Sequence, residues 1–165
     1  MAHAPRTGVP ARLGLAVTVM LGHERYRSYA LACLDYWTRP PVLLDQIQFY
    51  YSPAGDAVGY VTWAFLAEDV AARLQNEPDV LLHLSEWNEG AQLWIMDLAL
   101  PAGLLLRAVA DLAQRFADVD EAHFLRRRAD GSVRKVSVWR REHHAAARRF
   151  GWNATAAAPM EALPC

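Results

Sequence analysis

Apolar positions divide this chain into short stretches whose spacing switches between helical and alternating. Through residues 11–20, Leu13, Ala16, Val17 and Met20 recur on one helical face. After Gly22 a second helical pattern runs over residues 24–37, until Pro40 and Pro41 stop it. His23 falls at the junction of the two, a place from which a side chain reaches a cleft without full burial. Residues 44–51 and 58–65 are dense in aromatic and aliphatic side chains, and Ser52-Pro53-Ala54-Gly55-Asp56 between them carries turn chemistry, so the pair predicts a β-hairpin. A short helix follows over residues 66–75; residues 79–84 fit neither period, and Trp87-Asn88-Glu89-Gly90 reads as a loop. Residues 93–100 form a buried central strand, and Pro101-Ala102-Gly103 then opens a helix in which Leu104, Leu105, Ala108, Leu112 and Phe116 keep helical spacing to residue 117. Residues 122–127 and 132–139 flank Ala129-Asp130-Gly131, a second hairpin signal. This order predicts an α/β fold with one domain over residues 11–150, a flexible leader over residues 1–10 and an alanine-rich flexible tail over residues 151–165.

The central strand contains one carboxylate. In Gln92-Leu93-Trp94-Ile95-Met96-Asp97-Leu98-Ala99-Leu100-Pro101 an ionised acid carries a large desolvation cost unless a cation or a histidine meets it, which makes Asp97 the first residue to suspect of chemistry. His23, in Leu21-Gly22-His23-Glu24-Arg25-Tyr26, is the candidate partner. A carboxylate bonded to one imidazole nitrogen fixes the tautomer and leaves the other nitrogen a better base, able to take the proton from an amine. Alanine at either position is expected to abolish that chemistry and to leave folding largely intact. A strand that runs directly into a helix N-terminus also sets backbone N–H donors where an anion or a carbonyl oxygen could sit.

Composition changes this picture in two respects. A chain of 165 residues that is 53% hydrophobic has the material for one real core. The formal net charge of -1 hides an asymmetry, because residues 121–150 hold nine basic residues against three acids. A basic C-terminal third favours an acidic partner. Nucleic acid fits less well, since no zinc-finger, RNA-recognition or helix-turn-helix signature accompanies the charge. No apolar run is long enough to span a bilayer and no secretory leader is evident. The two cysteines, Cys33 in an apolar segment and Cys165 in the tail, argue against a disulfide framework, so Cys33 is expected as a small core residue and the protein in the cytoplasm. His143-His144 lacks metal-ligand spacing, His83 and His123 stand alone, and no P-loop, Gly-x-Ser-x-Gly or Cys-x-x-Cys motif is present; no metal site is expected.

The order of motifs resembles the RTX toxin-activating lysine acyltransferases, a family of hemolysin-activating proteins. Their histidine near the N-terminus, in a Ser-x-x-His setting after an apolar helix, corresponds to His23. Their Ile-Asp-Trp-hydrophobic-Ala-Pro-Phe-Gly segment corresponds to Ile95-Met96-Asp97-Leu98-Ala99-Leu100-Pro101-Ala102-Gly103, and the Ala-Tyr-Cys-Ser-Trp-Ala strand to Gly59-Tyr60-Val61-Thr62-Trp63-Ala64. A Gly-Lys-Val-like stretch before the last strand is similar to Arg134-Lys135-Val136. The likeness covers most of residues 13–140. It departs from the family where serine becomes Met20, tryptophan becomes Leu98, and the acid after the loop glycine becomes Ala91.

The resemblance implies a single-domain GNAT-like acyltransferase fold, a central and mostly antiparallel sheet flanked by helices. It implies transfer of a fatty acyl group from acyl carrier protein to an internal lysine ε-amino group of an RTX protoxin, with His23 and Asp97 catalytic. Transfer is either direct or through an acyl-histidine. The donor is a substrate, so no tightly bound cofactor is expected; Trp63 and Trp94 are candidates to line an acyl groove, and Gly103, Arg134 and Lys135 to meet the carrier. Relatives also suggest a homodimer. Common acetyl-CoA enzymes of this architecture carry an Arg/Gln-x-x-Gly-x-Gly/Ala loop after the central strand; Pro101-Ala102-Gly103-Leu104 stands there instead, which favours a carrier-protein donor. Two rival readings are a catalytically degenerate module that binds carrier or toxin, and a GNAT-like N-acyltransferase that uses acyl-CoA.

Overall fold

The computed structural model of the chain describes residues 8–127 and 133–140. Helix α1 (Val9–Leu21) begins earlier than its apolar period indicates, with Pro10 in the first turn, where the missing N–H has no intrahelical partner to lose. It buries Ala16, Val19 and Met20. The helix expected over residues 24–37 is corrected. Glu24–Tyr26 forms one 3-10 turn, and the helix starts again as α2 (Leu31–Cys33), widens into a π segment (Leu34–Thr38) and continues as α3 (Arg39–Leu43). Pro40 and Pro41 lie in the first turn of α3 and are buried there. The wider turn before them accommodates residues that donate no i−4 hydrogen bond, so the prolines re-route the helix without ending it.

Five strands, β1 (Ile47–Tyr51), β2 (Ala57–Leu66), β3 (Gln92–Ala99), β4 (Glu121–Arg127) and β5 (Val133–Arg140), form one sheet in the order β1-β2-β3-β4-β5. Neighbours are antiparallel except β3 and β4, which run parallel and are joined through a 3-10 turn (Ala102–Leu104) and helix α5 (Leu105–Arg115). The fold is thus the mixed α/β, mostly antiparallel arrangement expected, with β3 at its centre. Helix α4 (Glu68–Asn76) follows β2, and residues 79–84 are irregular. The turn expected at Ala129-Asp130-Gly131, the residue 151–165 tail and most of the residue 1–10 leader lie outside the described residues.

The sheet is covered on both faces. Beneath α1 and the segments around α2 and α4 lie Phe49, Tyr60, Ala64, Trp94 and Met96; beneath α5 lie Tyr50, Val61, Ile95 and Leu98. Gly90 donates its N–H to the Phe65 carbonyl, 2.9 Å away. A Cβ there would fall 1.9 Å from the Leu66 carbonyl carbon and 2.0 Å from the Ala67 nitrogen, so only glycine lets the loop close on the end of β2.

One expectation changes. Arg127, counted in the basic third, is 2% exposed and donates to the carbonyls of Leu74, Glu77 and Pro78, the C-terminal end of α4. Its charge caps a helix and is not offered to a partner. Cys33 is buried, as expected of a small core residue.

Candidate active site

A one-residue irregularity in β3 decides where Asp97 points. β2 and β3 pair as Tyr60↔Ala99, Val61↔Leu98 and Thr62↔Asp97, then resume at Trp63↔Ile95, so Met96 is an extra residue in β3. Side chains alternate along a strand, and in unbroken register Asp97 would share the α5 face with Ile95 and Trp63. The bulge turns it onto the opposite face, with Thr62 and Tyr60.

There four donors meet the carboxylate. Oδ1 accepts from the Leu98 N–H at 2.8 Å and from Arg25 Nη2 at 2.9 Å; Oδ2 accepts from the hydroxyls of Tyr26 and Tyr60, both at 2.7 Å. Arg25 Nη2 also donates to the Leu98 carbonyl at 2.7 Å and to the Tyr26 hydroxyl. The ion pair is largely sheltered, with side chains 19% and 20% exposed. Burial opposes the Arg25 charge, but Asp97 and Tyr26 outweigh it and raise its pKa. Burial, and then the negative charge of Asp97, push the pKa values of Tyr26, Tyr29 and Tyr60 well up, so these phenols stay protonated donors.

His23 stands just before the 3-10 turn in extended backbone (φ -116, ψ 124) and is half-buried. Its ring meets Tyr26 edge-on, with centroids 6.3 Å apart. Burial lowers its pKa below 6.5, the Arg25 charge lowers it further, and Asp97 acts in the opposite sense. Among the described residues no hydrogen bond joins His23 to Asp97. Both carboxylate oxygens are occupied by other donors, and Tyr26, bonded to Asp97 and packed on His23, touches both. Composition around Asp97 announced the need for a cation, and Arg25-Tyr26 follow His23 directly; Tyr60, thirty-seven residues from Asp97, carried no such signal.

The other expected site residues lie elsewhere. Trp63 is 2% exposed on the α5 face, under Phe116 (5.4 Å between rings) and under Arg115, whose guanidinium lies 4.5 Å from the ring centre. Trp94 is 1% exposed and stacked on His123 at 5.0 Å. Both tryptophans fill the core, and neither presents surface to an acyl chain. Gly103 is exposed, and a Cβ built on it meets nothing, so no close backbone approach requires glycine there. Arg134 and Lys135 are exposed on β5, two strands from Asp97. Met20, where the family has serine, is 5% exposed and packs in the cluster that holds Tyr26 and Tyr60. Among the described residues no group of three or more His, Cys, Asp or Glu is placed to hold a metal, and no helix is long and apolar enough to cross a membrane.

β4 pairs with β3 only over Leu93–Ile95, against Ala122–Phe124, so Asp97 lies two residues past the last rung. Comparison with curated proteins gives no match. The family model for the RTX toxin acyltransferases (HlyC) matches residues 7–140. Since that match runs from before α1, through the His23 turn, to the end of β5, the chain belongs to the RTX toxin acyltransferase family, enzymes that activate RTX protoxins by acylating their lysines.

Proposed function

We propose that in this chain the acyl donor is acyl carrier protein, that His23 is the general base, and that Asp97 positions the turn on which His23 stands. The observation that carries this reading is His23 itself, half-buried and with its pKa lowered, beside a carboxylate saturated with donors. A lysine amine is protonated near neutral pH, and attack on a thioester requires that proton to leave. Neutral His23 takes that proton, and the freed lone pair of the ε-nitrogen attacks the acyl carbon. The carbon–sulfur bond then breaks, and the second N–H proton, lost as the amide forms, passes to the carrier's leaving sulfur. β3 continues past its last pairing with β4 to Asp97, and this reading seats the thioester beside the stretch that β4 leaves unpaired. Exposed Arg134 and Lys135 suit an acidic carrier protein. The cytoplasm, where such carriers are found, is the compartment this reading requires.

Incubation with acylated carrier protein and a protoxin fragment, read by intact mass and by peptide mapping, tests it. One acyl mass on a lysine is expected, lost in His23→Gln, with acyl-CoA a poor substitute donor. Equal transfer by His23→Gln removes the assignment of the base, and preference for acyl-CoA removes that of the donor.

A further inference from the structure

We propose that Arg25 is a positioning residue for acyl transfer: one guanidinium nitrogen ties the turn carrying His23 to the Asp97 carboxylate and to the β3 main chain beyond its last pairing with β4. The proposal rests on the reading of His23 as the base. Arg25 Nη2 meets Asp97 Oδ1 at 2.9 Å, the Leu98 carbonyl at 2.7 Å and the Tyr26 hydroxyl. Leu98 thereby has both main-chain groups taken by side chains, its N–H by Asp97 and its carbonyl by Arg25. This happens just past the point where β4 stops pairing, so Arg25 satisfies a main-chain edge that a strand would otherwise cover.

The same group sets the field at the imidazole. The groups that face His23 are Arg25 and Tyr26 of the adjacent turn and Asp97 of β3. Arg25 repels a proton there and Asp97 attracts one, and of these two charges Arg25 acts more strongly. Its charge is sheltered, its side chain 19% exposed, and the guanidinium lies 4.5 Å from the Tyr26 ring centre. Lysine would keep the charge, but its ammonium stops one atom short of the Nη2 position that reaches Asp97 and the Leu98 carbonyl.

The test titrates His23 by NMR in the full chain, its signal assigned with His23→Gln, in native protein, Arg25→Gln and Arg25→Lys; circular dichroism checks the fold. Acylation of a protoxin fragment by acylated carrier protein is followed across pH in parallel. Arg25→Gln is expected to move the His23 titration to higher pH, to move the acid limb of kcat/KM the same way, and to lower kcat about a hundredfold with KM little changed. Arg25→Lys keeps the titration close to native yet still lowers kcat, and it carries the test if Arg25→Gln does not fold. Identical His23 titration in native and folded Arg25→Gln protein, or native kcat in both variants, overturns the proposal. Failure of His23 as base shows separately, as undiminished turnover in His23→Gln, because the titration needs no turnover.

Discussion

Asp97 is held by more partners than a catalytic orienter needs, and its substitutions should show it. The carboxylate meets Arg25, Tyr26, Tyr60 and the Leu98 N–H in a largely sheltered site. Asp97→Ala leaves the Arg25 charge buried without its counter-ion, a change that costs on the order of 3 kcal/mol. His23 makes no such bonds, and His23→Gln should stay within about 1 kcal/mol of native stability. Urea unfolding separates the two, against the sequence-based expectation that both alanine variants fold normally. The histidines also fix the sign of a pH effect. Burial lowers the pKa of both His23 and His123, so the unfolded chain binds their protons more readily than the folded one. Their contribution to stability is therefore complete above pH 6.5 and is lost as pH falls toward the depressed folded values. The melting temperature should drop on acidification below neutrality, and the slope should flatten in a variant that carries His23→Gln and His123→Gln. A shared, unchanged slope would mean that neither ring is neutralised by its surroundings.

At the scale of elements, helical period disclosed α1 and α5, while apolar density with turn chemistry disclosed the hairpin strands and the central position of β3. The prolines misled it. Pro40-Pro41 read as a stop, yet a π segment ahead of them lets both sit buried within a continuing helix, which depends on packing that no local rule expresses. The bulge was equally hidden: Leu93 to Leu100 is apolar at nearly every position, so an extra residue leaves no mark on its pattern. Asp97 could be singled out, but its face and its partners Tyr26 and Tyr60 could not. Deleting Met96 tests this reading of β3, since the pairings Trp63↔Ile95 and Thr62↔Asp97 then close into unbroken register with Asp97 still on the Arg25 side. Retained acyl transfer is expected, with a fall in stability from the lost buried Met96 side chain. A folded but inactive deletion would show that the face of Asp97 is not set by this register alone. Gly90→Ala belongs to the same scale: its methyl group collides with the main chain of Leu66 and Ala67, and the variant should unfold at a lower temperature than native protein.

Across the whole molecule the charge asymmetry becomes narrower and more specific than the sequence count. Arg127 is spent on the end of α4, and Arg140 is paired with Glu121 at 2.6 Å. Arg126 and Lys135 stand directly opposite each other across β4 and β5, and Arg134 occupies the irregularity beside them. Basic residues facing each other there have two consequences, a pairing across β4 and β5 and a surface that an acidic carrier would meet on docking. Lys135→Glu distinguishes the two consequences. It places opposite charges across the strands, so the fold should be as stable as native protein or slightly more so. At the same time it repels an acidic carrier, so KM for acylated carrier protein should rise while kcat at saturation holds, and added salt should narrow the difference from native protein. Lys135 lies two strands from Asp97, so a fall in kcat would place β5 in the chemistry, and an unchanged KM would move carrier docking away from this edge of the sheet.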